Sequence, residues 1–179
     1  ESADTQRISA TYDSVNEKVV IAYSDAGNSY YGTAIVGTVS GTSISFGTAV
    51  VFESANCEEY MTAMYDTTNE KVVIAYSDKG NSTHGTAIVG TVSGTSISFG
   101  SAAVFQASEV IHQNAAYVGG GKVVIGYRDN GNSGHGTAVV GTVSGTSISF
   151  GTPVVYESAS TYWTGVTYDS TNDKVVIAY

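Results

Sequence analysis

The feature that most constrains this chain is an internal repeat of about 52 residues, a period typical of proteins built from small stacked units. The tripeptide Lys-Val-Val occurs four times, at intervals of 53, 51 and 52 residues, beginning at Lys18, Lys71, Lys122 and Lys174. The segment GTVSGTSISFG occurs three times without change, beginning at Gly37, Gly90 and Gly141. The 179 residues therefore form one repeat domain, or a fragment of a larger one, with approximate repeats 1–53, 54–106 and 107–157 and a partial repeat 158–179.

Each repeat has the pattern of four short strands, which we label A to D. In the first repeat, strand A covers residues 8–12, strand B 18–23, strand C 32–39, and strand D runs from 43 to about 52. Strand B is apolar on both faces, as expected for a strand held between two neighbouring sheets. Asp13 and Asn16 supply the side chains that stabilise a tight turn between strands A and B.

Four short strands in each repeat predict an all-β protein, a β-propeller of four-stranded antiparallel blades. The alternative is a β-solenoid or an open array of β-meanders, although solenoid coils are usually shorter and parallel. Three and a half repeats do not close a ring of seven blades. We therefore expect a fragment of a longer array, a four-bladed ring with a trimmed blade, or one partner in a ring or filament of several chains; the absence of an initiator Met favours the fragment.

The loops between strands B and C read SDAGNS, SDKGNS and RDNGNS in the three full repeats. They resemble the Asp-box turn of sialidase-like propellers and of some lectin propellers, in which Ser-x-Asp-x-Gly-x-Thr-Trp folds a hairpin. The match covers six residues in each repeat; Ser and Asp are adjacent here, and the closing Trp is missing. Sialidases of this type hold their substrate with three arginines, whereas this chain has only Arg7 and Arg128, at non-equivalent places. The resemblance therefore implies mainly the fold, and the departure at the arginines argues against the catalytic function of the sialidases.

Charge and composition exclude several classes of partner. The formal net charge is −9, with 7 Lys and Arg against 16 Asp and Glu, whereas nucleic-acid binding requires clustered basic residues. The same balance disfavours adsorption to an anionic membrane, and no stretch approaches the length that inserts into a bilayer. With one cysteine, Cys57, there is no disulfide framework, and we interpret Cys57 as an incidental loop residue.

Comparison of the repeats with one another locates the candidate site. They differ mainly in the BC loop and in the DA connection between successive repeats, whereas the CD hairpin does not vary. Because each strand reverses the one before it, the BC and DA segments of a blade emerge on the same face. Exposed loops also drift freely, and drift alone does not explain the unchanged CD hairpin, whereas recent duplication of the repeats would explain it. The candidate ligand-binding residues are Arg7, Tyr30, Tyr31, Tyr60, Lys79, His84, His112, Asn130, His135, Tyr162 and Trp163.

Cofactors and metals are not predicted. His84 and His135 occupy the same position in successive repeats, but neither has the further nearby ligands that a metal site requires. Asp25, Asp78 and Asp129 offer oxygen atoms of the kind that calcium prefers. We favour a structural role, in which each Asp ties its own turn and the loop glycine supplies a positive φ.

The sequence favours a non-enzymatic recognition or adhesion module, extracellular or on a cell or virion surface, that binds a glycan or a surface polymer. The aromatic side chains suit sugar faces, and the Asn, Asp and Thr neighbours suit sugar hydroxyls. A structural repeat unit of a fibre, sheath or appendage is the alternative, with self-association into a ring or filament. A sialidase-like glycoside hydrolase is a third hypothesis.

Overall fold

The structure is a computed structural model that describes residues 4–57 and 59–179. Residues 1–3 of the predicted first repeat, and Glu58 in one predicted DA connection, lie outside the described residues. The prediction of an all-β protein is confirmed, because strands account for 70% of the chain and helical turns for 5%. No helix in the described part of the chain has the length and apolar character needed to cross a membrane.

The sixteen strands of the described residues follow the repeat. The first repeat contains β1 (Thr5–Asp13), β2 (Lys18–Asp25), β3 (Tyr31–Ser40), β4 (Ser43–Phe46) and β5 (Val50–Asn56). The second contains β6 (Met61–Asp66), β7 (Lys71–Asp78), β8 (His84–Ser93), β9 (Ser96–Phe99) and the beginning of β10 (Ala103–Gly119). The third continues with the rest of β10, then β11 (Lys122–Asp129), β12 (His135–Ser144), β13 (Ser147–Phe150) and β14 (Val154–Ser160), and the partial repeat has β15 (Gly165–Asp169) and β16 (Lys174–Ala178).

Within each full repeat the strands form an antiparallel meander. In the first repeat, β1 pairs with β2 and β2 with β3, and both β4 and β5 pair with β3. The predicted single strand D is therefore two strands with a break at residues 47–49. The break lies at Gly47, where the carbonyl oxygen of Thr95 in the next repeat would be 1.8 Å from an added Cβ atom. Strand D is thus divided at the point where the CD hairpin of the next repeat approaches its backbone.

The connection between the second and third repeats is a continuous strand. The single strand β10 pairs with β8 through its first part and with β11 through its second. It thus joins strand D of one repeat to strand A of the next, where the sequence predicts a loop. The resulting sheet has the path β13-β12-β11-β10-β8-β7-β6, which curls as a half-barrel.

Strand B explains how the repeats stack. In β7, Val72 and Ile74 point into one apolar cluster with the first repeat, and Val73 and Ala75 point into another with the third. Because side chains alternate across a strand, the run of apolar residues serves two interfaces at once. All four side chains are fully buried, so the core of the molecule lies between the repeats.

The two outer faces of the stack are open. Ile44 in the first repeat is 45% exposed, whereas its counterparts Ile97 and Ile148 are 3% and 6% exposed because the preceding repeat covers them. On the opposite side, Val140 and Val154 in the third repeat are also exposed. An isolated repeat thus leaves apolar surface uncovered on both faces, as the pattern of strands B and C predicts.

Candidate ligand-binding face

The two variable segments lie side by side in each full repeat. Short backbone hydrogen bonds join the DA segment to the preceding BC loop, from the Cys57 amide to the Tyr30 carbonyl at 2.9 Å and from the Val110 amide to the Thr83 carbonyl at 3.1 Å. The third repeat has the same bond, from Thr161 to Gly134, at 3.0 Å. The strand directions therefore bring the BC and DA residues to one edge of the sheets.

Four predicted residues occupy one structural position, immediately before the main part of strand A. Their side chains form a row across the repeats: the Arg7 guanidinium carbon lies 5.1 Å from the ring centre of Tyr60, Tyr60 lies 4.6 Å from His112, and His112 lies 4.6 Å from Trp163. Each contact joins one repeat to the next. The DA connections of all four repeats thus contribute to one continuous surface.

The local backbone directs these side chains. Arg7, His112 and Trp163 have φ values of 53°, 55° and 56°, in the left-handed region that residues other than glycine rarely adopt. The ladder register also shifts at this point in β1 and in β10. Such irregularities re-aim a side chain out of the strand pattern, and strained backbone of this kind concentrates at functional sites.

Two further residues complete the group. The Arg128 guanidinium carbon lies 4.3 Å from the ring centre of Tyr162, which is itself 5.7 Å from the ring of His112. We name the whole set the cation–aromatic cluster: Arg7, Tyr60, His112, Arg128, Tyr162 and Trp163. It contains both arginines of the chain.

Arg128 is the functional candidate that sequence reasoning missed. The other two full repeats have Ser24 and Ser77 at this position, where the sequence by itself indicates only the first residue of a turn. A second position does mark the third repeat as different, because Gly134 replaces the Tyr30 and Thr83 of the other repeats. A Cβ atom at Gly134 would lie 2.8 Å from Nε of Arg128, so the arginine side chain occupies the space that the missing side chain leaves.

The cluster combines an exposed rim with a buried polar base. Trp163 is 74% exposed and Tyr162 is 51% exposed, whereas His112 is only 8% exposed. Three buried atoms here, Nδ1 of His112, Nε of Arg128 and Oγ1 of Thr161, make no hydrogen bond within the described part of the chain. Buried polar groups are normally paired, so each of these atoms lacks a partner that the described part of the chain does not supply.

The electrostatics of the cluster keep its histidine neutral. Burial lowers the pKa of His112 from its usual 6.5, and the positive charges of Arg128 and Arg7 lower it further. The pKa of the Tyr162 hydroxyl is lowered by hydrogen bonding with Ser160 and then by Arg128. At neutral pH the positive charge of the cluster therefore resides on its two guanidinium groups.

The predicted BC-loop residues lie in their own repeats beside the DA segments. In the sheet pairing at the start of strand C, Tyr31 is opposite Asn56, His84 opposite Glu109, and His135 opposite Ser160.

Two polar members of this group already have partners, and Tyr30 is half-buried. Lys79 forms an ion pair with Glu59 at 2.9 Å, and the Asn130 side chain donates to Glu109 at 2.9 Å. Tyr30 is half-buried next to the DA segment. Apart from the contact of Arg128 with Tyr162, the ring and cation contacts of the cluster join the predicted DA residues and none of these predicted BC residues.

The role predicted for the BC turns holds only in part. Asp25 and Asp129 each accept a hydrogen bond from the amide two residues ahead, whereas Asp78 makes no such bond. The predicted positive φ at the loop glycine is wrong, because the left-handed residues are the Ser and the residue after it. The glycine is needed for space: an added Cβ would lie 2.5 Å from Ala55 at Gly80 and 2.4 Å from Ser108 at Gly131.

Two further kinds of side chain, the possible metal ligands and the thiol of Cys57, bear on the chemistry of the site. No group of three or more His, Cys, Asp and Glu residues suited to a metal ion occurs in residues 4–57 and 59–179. Cys57 lies outside the strands, as predicted for a loop residue, but it is not incidental, because it is fully buried in the interface between the first two repeats. Burial raises the pKa of its thiol, and the charges of Glu53 and Asp78 raise it further, so the thiol stays protonated.

The unchanged CD hairpin has a structural explanation. The carbonyl oxygens of Thr95 and Thr146 would lie 1.8 and 1.9 Å from added Cβ atoms at Gly47 and Gly100 of the preceding repeats. The hairpin therefore belongs to the packing between repeats, and its invariance is not an argument for binding elsewhere. The case for a ligand depends on the cation–aromatic cluster itself.

In comparisons with known proteins, no family model matches this chain, and no curated protein matches it either.

Proposed function

We propose that the repeats are blades of a β-propeller arranged about a common axis. The support comes from the strands A, which contact one another in sequence: β1 packs against β6, β6 against β10, and β10 against β15. Each full repeat is an antiparallel meander in which both parts of the divided strand D pair with strand C. A radial arrangement places strand A innermost and strand D outermost. An electron-density map with parallel coils in place of radial sheets would overturn this assignment.

We further propose that the protein is a non-enzymatic recognition module that binds a glycan or surface polymer at an extracellular, cell or virion surface. The observation that carries this proposal is the exposure of Trp163 and Tyr162 over a base of buried, unpaired polar atoms. Sugar rings present C–H faces that pack on aromatic planes and hydroxyl groups that need hydrogen-bond partners. An exposed aromatic rim around donors and acceptors matches both requirements.

The test is binding to a glycan array, followed by titration calorimetry on the glycans that bind. W163A and Y162A remove the exposed rings, and we expect each to weaken binding by about tenfold or more. Both side chains are exposed, so the unfolding midpoint should change little. Y12A is the matched control, because Tyr12 is 54% exposed and lies at the AB turn, at the other end of strand A. Unchanged affinity in both W163A and Y162A would remove the cluster from the site.

A structural repeat unit of a fibre or sheath is the second candidate function. It is favoured by the apolar packing that joins successive repeats through both faces of strand B. The glycan array separates the two functions, since a purely structural unit gives no saturable binding.

A further inference from the structure

We propose that the cation–aromatic cluster selects anionic glycans, those that carry carboxylate or sulfate groups, over neutral ones. This inference rests on the proposed glycan-binding function and specifies its ligand class. It depends on where the positive charge of the molecule is located.

The chain is acidic, yet its two arginines converge on one site. Arg7 and Arg128 are 121 positions apart in the sequence, and both stack on cluster tyrosines that contact His112. Guanidinium groups bind carboxylates and sulfates through paired, charge-assisted hydrogen bonds, and their planar faces stack on aromatic rings. On a protein of net charge −9, an anionic glycan gains nothing elsewhere from long-range attraction, so the cluster is where it would be held.

The placement of Arg128 involves two coupled changes. The other repeats combine a serine at this position with a side chain on the BC loop, as in Ser24 with Tyr30 and Ser77 with Thr83. Only the third repeat combines an arginine with Gly134, and an added Cβ there would collide with the guanidinium group. Loop drift at a single position does not produce a matched exchange of this kind. The exchange makes room for a cation beside Tyr162.

Hydrogen-bond donors are available next to the charge. The Nε–H of Arg128 and the hydroxyl of Thr161 are buried donors without partners in the described part of the chain. Of the carboxylates near the cluster, Glu59 is paired with Lys79 at 2.9 Å. An oxyanion bound here would lie beside a guanidinium group that keeps an unpaired donor.

The experiment compares charged polymers with chemically neutralised forms of the same polymers. The probes are polygalacturonate with its carboxyl-reduced form, and heparin with its desulfated form, together with the neutral glycans of the array. We expect at least about tenfold tighter binding to one of the anionic probes than to its neutral form, with the preference decreasing as salt is raised. The two pairs distinguish carboxylate from sulfate.

The decisive variant is R128S/G134T, which converts the third repeat to the combination found in the second. It should fold like the wild type, because Ser77 and Thr83 occupy these positions in the same backbone. We expect it to lose the preference for anionic probes while retaining binding that depends on Trp163. Equal binding of anionic and neutral forms by the wild type would overturn the anionic inference alone. Absence of binding to any glycan would overturn the proposed function as well.

Discussion

The position shared by Arg7, Tyr60, His112 and Trp163 shows how one backbone site can carry different chemistry in each repeat. At least three of the four have the same left-handed backbone, so the geometry is repeated while the side chain changes. The surrounding strands are held fixed by packing between repeats. The DA segment is therefore free to vary in composition without loss of the fold, as expected for loops on a rigid scaffold.

The thiol of Cys57 provides a prediction at this scale. Its counterpart in the next repeat is the fully buried Val110, so C57V should change the free energy of unfolding by less than about 1 kcal/mol. The native protein should not react with a thiol reagent, because the thiol is buried and protonated at neutral pH. Reaction measured in native buffer and in urea checks this. Rapid labelling of the folded chain would contradict the burial of Cys57.

The AB turn of the first repeat predicts a dependence of stability on pH. The Asp13 carboxylate accepts hydrogen bonds from the amides of Val15 and Asn16 and from the Asn16 side chain. Burial raises the pKa of Asp13, but these bonds outweigh it and hold the pKa below the ordinary 3.8. The ionised group therefore stabilises the fold above the ordinary pKa, and this contribution is lost as pH falls through the folded pKa.

Two variants test the turn. D13A leaves the donors without their acceptor and should lower the free energy of unfolding by about 1–3 kcal/mol near neutral pH. D13N retains an acceptor oxygen without the charge, so its stability should fall less steeply than that of the wild type between about pH 5 and pH 2. Urea unfolding at several pH values measures both effects. Parallel pH profiles for D13N and the wild type would contradict the role of ionised Asp13.

The residue scale is also where sequence reasoning was least complete. It selected the DA residues of the cluster because they vary between repeats and are aromatic or charged. It does not identify Arg128, because Arg128 stands where the other repeats have the first Ser of the BC turn, and that position by itself indicates only a turn. The space that Gly134 provides for the arginine becomes evident only when the two side chains are seen together in three dimensions.

At the level of elements, strands B and C follow the sequence pattern closely and strand D does not. β2 begins at Lys18 as predicted, and β3 extends the predicted strand by one residue at each end. Apolar alternation defines these strands because packing on both sides enforces it. The division of strand D and the continuity of β10 depend on contacts with the neighbouring repeat, and local sequence carries no record of such contacts.

The glycine at the start of strand C gives the prediction at this scale. The ring of Phe105 lies directly over Gly85, so an added Cβ would be 2.4 Å from the ring and 2.9 Å from Val110. Both neighbours are buried, and G85A should therefore destabilise the chain by about 1–3 kcal/mol. G151A is the control, because its nearest neighbour would be 3.8 Å away. Thermal or urea unfolding that ranks the two variants equally would contradict this packing.

The molecule as a whole has a gradient of burial along the stack. The B strands β7 and β11 are buried between repeats, whereas β4 and β16 are largely exposed at the two ends. In stacked repeats each unit is stabilised mainly by its neighbours, so the ends open at a lower free energy than the centre. We expect hydrogen exchange to be slowest in β7 and β11 and fastest in β4 and β16. Uniform protection along the chain would indicate that both ends are covered in solution.

The two-sided strand B has a consequence for how such a protein changes over generations. Each internal interface joins the same two faces, one from each neighbouring repeat, so an added or deleted unit meets neighbours that already fit it. Misaligned recombination between the near-identical coding segments would alter length without creating a new junction to optimise. Copy number can therefore vary at little structural cost, while the few side chains at the DA position diverge separately in each copy.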